Sequence, residues 1–166
     1  PARLIITHGL AGCGKSRASR RVLLSDPTAT TLCLRSDVER KRLCGLAPAS
    51  GSGSPLDGGI YTKDISELTY QRLYALAQIL LAAGWSVIVD AAFLERCRRQ
   101  AFRALAEDAG LAFSVLAPQA TPAQLRARIR RRLEKGRDAS EATLAVLEQQ
   151  MHRVEALSPA ELDLLL

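Results

Sequence analysis

The chain has 166 residues, a length that fits one domain built around a single core. Its apolar fraction of 48% is that of a globular protein, and no apolar run reaches the roughly 18 residues of a membrane-crossing helix, so a soluble domain is expected. The formal charge of +6 rests on 19 Arg and only 4 Lys. It points to an anionic partner such as a nucleotide, a nucleic acid or a phosphorylated metabolite, although an Ala-, Leu- and Arg-rich genome would leave the same mark. One Trp, three Tyr and three Phe are too few for a platform that stacks single-stranded bases. Cys13, Cys33, Cys44 and Cys97 are widely spaced, with no C-x-x-C pair and no secretory signal, so reduced thiols in a cytoplasmic protein are expected, with no disulfide and no zinc.

In chain order, Arg3 to Thr7 (RLIIT) reads as a buried parallel strand running into a turn at His8-Gly9. Helical spacing of Ala18, Val22 and Leu23 follows, and Asp26-Pro27 stops it. Thr30 to Leu34 (TTLCL) is a second strand, followed by a short helix to about Cys44. Residues 45–59, rich in Gly and containing two Pro, are expected to form a mobile loop. Asp64 to Ala83 places Leu73, Leu76, Leu80 and Ala83 on one helical stripe that ends at Gly84. Ser86 to Asp90 (SVIVD) is a third strand, Glu95 to Ala109 a helix, and Ala112 to Ala117 a fourth strand. Thr121-Pro122 opens an Arg-rich helix to about Lys135, Ser140 caps a helix to about Val154, and Ser158-Pro159-Ala160-Glu161 is a capping box. Strands alternating with helices mean right-handed βαβ units, and hence a three-layer α/β fold with a parallel sheet. No Met precedes the first strand, and the chain stops where a fifth strand would follow. The expectation is a single domain cut from a longer polypeptide.

The strongest chemical signal is Gly9-Leu10-Ala11-Gly12-Cys13-Gly14-Lys15-Ser16, which matches G-x-x-x-x-G-K-[ST] between a strand and a helix. Glycines let consecutive N–H groups turn toward a phosphate at a helix N-terminus. Lys15 then bridges the outer phosphates, and the Ser16 hydroxyl ligates Mg2+. Cys13 reads as a small residue at a permissive position of the same nest. Asp90 ends an apolar strand where ligands of open α/β sheets bind, so it is assigned to the Mg2+ shell, with a loop or N-cap carboxylate as the alternative. Asp37 and Arg40 share a helix face at i and i+3. They suit a base and an acceptor-orienting cation, or equally a helix cap and a solvated arginine. Arg126, Arg128, Arg130, Arg131 and Arg132 crowd one helix over a buried stripe of Leu125, Ile129 and Leu133. The run ends at Gly136-Arg137-Asp138, as expected of a hinged lid over about 126–140 that brings arginine to a triphosphate, with a solvated or nucleic-acid-binding face as the alternative. His8 and His152 lack a metal-ligand partner at useful spacing and read as structural or surface residues.

The segments THGLAGCGKS, LRSDVERKRL, VIVDAAFL and LRARIRRRLEKGRDASEA, in that order, resemble the small P-loop kinases. These are AAA-type ATP-binding kinase-like domains, found alone or fused behind an aminoglycoside-phosphotransferase-like domain and related to polynucleotide kinases, gluconate kinases and zeta toxins. The resemblance implies the strand order 2-3-1-4-5 of nucleoside monophosphate kinases, with the last strand missing here. It also implies Asp37 as the base, Arg40 as the residue that binds a substrate anion, and Arg128 with Arg132 as the lid pair that packs on adenine and reaches the phosphates. The expected activity is ATP- and Mg2+-dependent transfer of the γ-phosphoryl group to a hydroxyl. A small metabolite is the first choice of acceptor and a 5′-hydroxyl of nucleic acid the second. A regulatory ATP-binding or ATPase module is the reading from another class.

Overall fold

The computed structural model describes residues 1–54, 58–135 and 141–166. Four strands, β1 (Arg3–Thr7), β2 (Thr31–Arg35), β3 (Ser86–Asp90) and β4 (Ala112–Leu116), form one parallel sheet in the order β2-β3-β1-β4. Parallel neighbours need crossovers, and helices α1 (Lys15–Leu24), α2 (Ser36–Leu43), α3 (Lys63–Ala82), α4 (Arg96–Asp108), α5 (Pro122–Lys135), α6 (Leu144–Arg153) and α7 (Pro159–Leu162) supply or follow them. The period-two alternation of the central strands sorts their side chains to two faces. Ile5 and Ile88 pack under α1 with Ala18 and Val22. Leu4, Ile6, Val87, Val89 and Val115 face the opposite layer of Leu73, Ala77 and Leu81 from α3 and Phe102, Leu105 and Ala106 from α4. Among the described residues, no helix is long and apolar enough to cross a membrane.

Four details differ from the sequence reading. The buried stripe of α3 is Thr69, Leu73, Ala77 and Leu81, whereas Leu76 is half-buried and Ala83 exposed. A polar residue can lie on the core side because the Thr69 hydroxyl donates to the Ile65 carbonyl at 2.6 Å, which removes the cost of burying it. Second, α6 is capped by Thr143, whose hydroxyl accepts from the Val146 N–H at 3.3 Å; Ser140 lies outside the described residues. Third, Leu133 is 49% exposed, so the buried stripe of α5 is only Leu125 and Ile129. Fourth, the position of a fifth strand is not empty. Val115 N–H donates to the Leu164 carbonyl at 2.8 Å and Leu166 N–H to the Val115 carbonyl at 3.0 Å, a parallel bridge on the free edge of β4.

The C-terminal segment is tied in by a buried ion pair. Arg99, 1% exposed, donates from Nε to Glu161 Oε1 at 2.6 Å and from its other nitrogens to the carbonyls of Phe93 (2.9 Å), Leu94 (3.1 Å) and Ala156 (3.2 Å). Burial alone would raise the Glu161 carboxyl, but hydrogen bonds from Arg99 and the Ser158 backbone outweigh it and bring it down to about 2. A carboxyl held below its unfolded value of 4.5 stabilises the fold above that pH, and the contribution is lost as pH falls toward about 2. Glu161→Gln is therefore expected to cost about 3 kcal/mol near neutrality, with the gap to the parent closing progressively below about pH 4.5. Urea midpoints measured across that range check it. A gap that stays constant with pH would remove the Glu161 charge from the account.

Candidate phosphate-binding and phosphoryl-transfer site

Between β1 and α1, Gly9 N–H donates to the Ala92 carbonyl at 3.1 Å and Cys13 N–H to the Leu10 carbonyl at 3.2 Å, folding residues 9–14 into a tight loop. Gly14 is required by its backbone, with φ 108° in the left-handed region and nothing within 4 Å of where a Cβ would stand. Gly12 is required by contact as well, since a Cβ there would meet the Leu125 carbonyl at 3.1 Å and Ile129 at 3.4 Å. The loop therefore lies directly on α5. Ala11 and Cys13 share a small core with Leu125, Ile129 and Leu147, which gives the Cys13 side chain a packing role.

The loop's carbonyls are drawn toward cations and its free N–H groups are left at the head of α1. Lys15 Nζ donates to the carbonyls of Gly9 (2.8 Å) and Leu10 (2.9 Å), and Arg128 Nη1 to those of Gly12 (3.1 Å) and Cys13 (3.3 Å). The Ala11 N–H is taken by Gln150 Oε1 at 2.7 Å, which ties α6 to the loop. Gly14 offers no side-chain cap to α1, so the first-turn N–H groups from Lys15 onward have no helical acceptor. Orphan N–H groups, the positive helix end and an ammonium together have the chemistry of an anion site.

Asp90 sits at the C-terminal end of β3, 5% exposed and in register with Arg35 of β2. Arg35 Nε approaches its carboxylate to 3.6 Å. Burial pushes the Asp90 carboxyl up; a hydrogen-bonding interaction with the Ser16 side chain and the charges of Lys15 and Arg35 pull it back, and Asp37 adds like-charge repulsion. Ser16, Asp90, Lys15 and Asp37 thus converge above the ends of β1, β2 and β3. A hydroxyl beside a desolvated carboxylate is the donor set a hard divalent cation takes, so these residues fit Mg2+.

On the far side, α2 starts at Ser36 with Arg35 at its N-cap and no side-chain cap bond, so neither Ser36 nor Asp37 serves as the cap. Arg40 lies over the Tyr61 ring at 5.1 Å, and its Nε is buried. Burial first, then the charges of Asp37 and Glu141, push the Tyr61 phenol up to about 12. His8, immediately before the loop, is buried and engages the Phe93 carbonyl through Nδ1 at 3.0 Å, and burial lowers its pKa. Phe93 holds a left-handed φ of 46°, and its N–H donates to Tyr70 Oη at 3.1 Å. His8 and Phe93 therefore lock the P-loop to the segment that follows Asp90. Arg132 is half-buried on α5, and the expected hinge at Gly136, Arg137 and Asp138 lies outside the described residues.

Sequence reasoning had missed Arg35, Tyr61, Tyr70, Glu141 and Gln150 as neighbours of the site. Arg35 alone had a usable signal: it precedes Asp37 by two residues and pairs with Asp90 once β2 is placed beside β3.

A parallel sheet in the order β2-β3-β1-β4, with G-x-x-x-x-G-K-S between β1 and α1, defines a P-loop nucleoside-triphosphatase fold of the kinase type. The chain belongs to the AAA domain family, which matches residues 4–157. It is 30% identical over 166 residues to an uncharacterized protein of Mycobacterium tuberculosis (strain ATCC 25618 / H37Rv), and the match covers 96% of this chain and 32% of that protein. The chain thus spans about a third of the length of the curated relative. Among solved structures, it resembles a sugar kinase of Janibacter sp. HTCC2649, with a TM-score of 0.66 at 20% identity, over 97% of this chain and 82% of that one. It also resembles the Mycobacterium tuberculosis APS kinase CysC in complex with AMPPNP and APS, with a TM-score of 0.61 at 23% identity, over 86% and 76% of the two chains.

Proposed function

We propose that the protein is an ATP- and Mg2+-dependent phosphotransferase that moves the γ-phosphoryl group to a hydroxyl of a small metabolite. The observation that carries this reading is the meeting, at one end of the sheet, of a phosphate nest with Lys15, a Ser16–Asp90 pair, and Asp37 and Arg40 of α2, which both face Tyr61. Phosphoryl transfer asks the protein mainly for positioning and charge neutralisation, and the three groups divide that work. The nest and Lys15 hold the outer phosphates, exchanging the Gly9 and Leu10 carbonyls for phosphate oxygens. Ser16 and Asp90 would hold Mg2+, which neutralises phosphate charge when bound. Asp37 accepts the hydroxyl proton of the acceptor, and Arg40 orients the acceptor through an anionic or hydroxyl group. Arg128 and Arg132 on α5 bring cations to the nucleotide from the β4 side, and the lid role of about 126–140 belongs to this proposal. The neighbouring APS kinase was solved with AMPPNP, which supports an adenine nucleotide as the donor.

The test is transfer from γ-labelled ATP to a panel of sugars, nucleosides and 5′-hydroxyl oligonucleotides. Label on an oligonucleotide alone would move the acceptor to nucleic acid, in keeping with the net charge of +6. ATP hydrolysis with no acceptor labelled anywhere in the panel would favour a regulatory ATPase. Arg132→Ala is expected to lower turnover by at least ~100-fold, the scale of a lost charge in the transition state. Steady-state kinetics decide it, and a change below about threefold would leave Arg132 with no part in turnover.

A further inference from the structure

The two sides of the site are joined by a polar cluster that the proposed mechanism does not use. Lys41 of α2 is 1% exposed and spends its three ammonium donors on the Pro48 carbonyl (3.2 Å), the Ser50 carbonyl (2.7 Å) and Glu141 Oε1 (3.2 Å). Glu141 also accepts from the Ser52 N–H at 2.7 Å and, through its other oxygen, from the Ser52 hydroxyl. Its backbone N–H interacts with the phenol of Tyr61, the ring on which Arg40 rests. These contacts join residues 89 apart in sequence. Lys41 belongs to α2 on the acceptor side, whereas Glu141 lies between α5 and α6, the two helices that hold the P-loop through Leu125, Ile129 and Gln150.

Resting on the phosphotransferase reading, we propose that Glu141 is a positioning residue of the transfer site, closing a clasp with Lys41, Ser52 and Tyr61 that fixes Arg40 on the acceptor side. The arrangement answers a problem of composition. Residues 45–54 contain two Gly and two Ser among 51–54 and little apolar surface, so hydrophobic burial cannot hold them in one place. A buried ammonium and a carboxylate supply charge-assisted hydrogen bonds to their backbone instead. Because the Glu141 carboxylate holds Lys41 and the Ser52 segment while its backbone N–H meets the Tyr61 phenol, loss of the carboxylate would loosen the support behind that backbone and the acceptor side while leaving the phosphate nest intact. The nest is fastened separately, by Gln150, Arg128 and the contact with α5.

The test uses Glu141→Gln and the milder Ser52→Ala, each in the full chain. The first readout is cleavage within residues 45–54 by subtilisin, in the presence of ADP and Mg2+ and with no acceptor. Both variants are expected to be cut at least ~10-fold faster than the parent, as local opening predicts. The thermal shift produced by ADP should match the parent's. The second readout is transfer to whichever hydroxyl compound the labelled-ATP panel identifies, where Glu141→Gln is expected to raise the acceptor KM by about tenfold and leave the ATP KM within about threefold. Cleavage within about threefold of the parent in both variants overturns the clasp, and an equal loss of ADP and acceptor binding reduces Glu141 to a general structural residue. Should the parent label no acceptor, the phosphotransferase reading fails by itself, while the cleavage and ADP arms still decide whether the clasp exists.

Discussion

Lys15→Ala is expected to bring nucleotide turnover down by at least ~100-fold and to abolish the thermal shift produced by ATP, with the fold intact. The charge argument is direct: two or more phosphate oxygens gather at the head of α1, where orphan N–H groups supply only partial positive charge and Lys15 the one full charge inside the loop. The stability argument is equally specific. Lys15 Nζ bonds the Gly9 and Leu10 carbonyls and lies 3.9 Å from Cys13 Sγ, a weak contact, and none of these partners lies in the two central cores. Losing two partly exposed hydrogen bonds to carbonyls that water can reach costs about 1 kcal/mol. Denaturant melts and ATP titrations on the same preparation separate the two effects. Parent-like ATP affinity and turnover in a folded Lys15→Ala protein would show that phosphate binds elsewhere.

The parts of the site that were legible in the sequence are those whose chemistry is contiguous. Eight consecutive residues, Gly9 to Ser16, carry the nest, the ammonium and the hydroxyl, so spacing alone reveals them. Asp90 was legible because it ends an apolar strand. By contrast, Gln150 reaches Ala11 across 139 residues and Glu141 reaches Ser52 across 89, and no local rule ties an amide or a carboxylate to a backbone N–H so far away. The stripe of α3 was misplaced for a related reason: Thr69 looks polar in sequence, and only its bond to the Ile65 carbonyl makes it a core residue. The strand order came from the resemblance, and the parallel bridge between Val115 and Leu165 puts chain on the edge of β4 where that order has its fifth strand.

Asp37→Asn is expected to lower transfer to the acceptor by roughly 100- to 10,000-fold, the range for loss of a general base, with ATP binding retained. A hydroxyl is a poor nucleophile while it keeps its proton, and the amide keeps the shape of the carboxylate without its basicity. A capping role would make the same substitution nearly silent, because Asn caps helices about as well as Asp. That explanation is already excluded by geometry: α2 begins one residue earlier, at Ser36, and its N-cap is Arg35. What remains structurally is the favourable charge in the first turn of α2, whose loss costs about 1 kcal/mol or less. The neighbouring carboxylate provides a second, independent sign. Asp37 is near enough to Asp90 to repel its charge, but Ser16 and Asp90 are the proposed metal holders, so neutralising Asp37 should leave Mg2+-ATP affinity within about threefold of the parent. Loss of transfer together with undiminished Mg2+-ATP binding is therefore the signature of a base, whereas loss of both would place Asp37 in the metal shell. Transfer within about threefold of the parent would send the search for the base to Asp90.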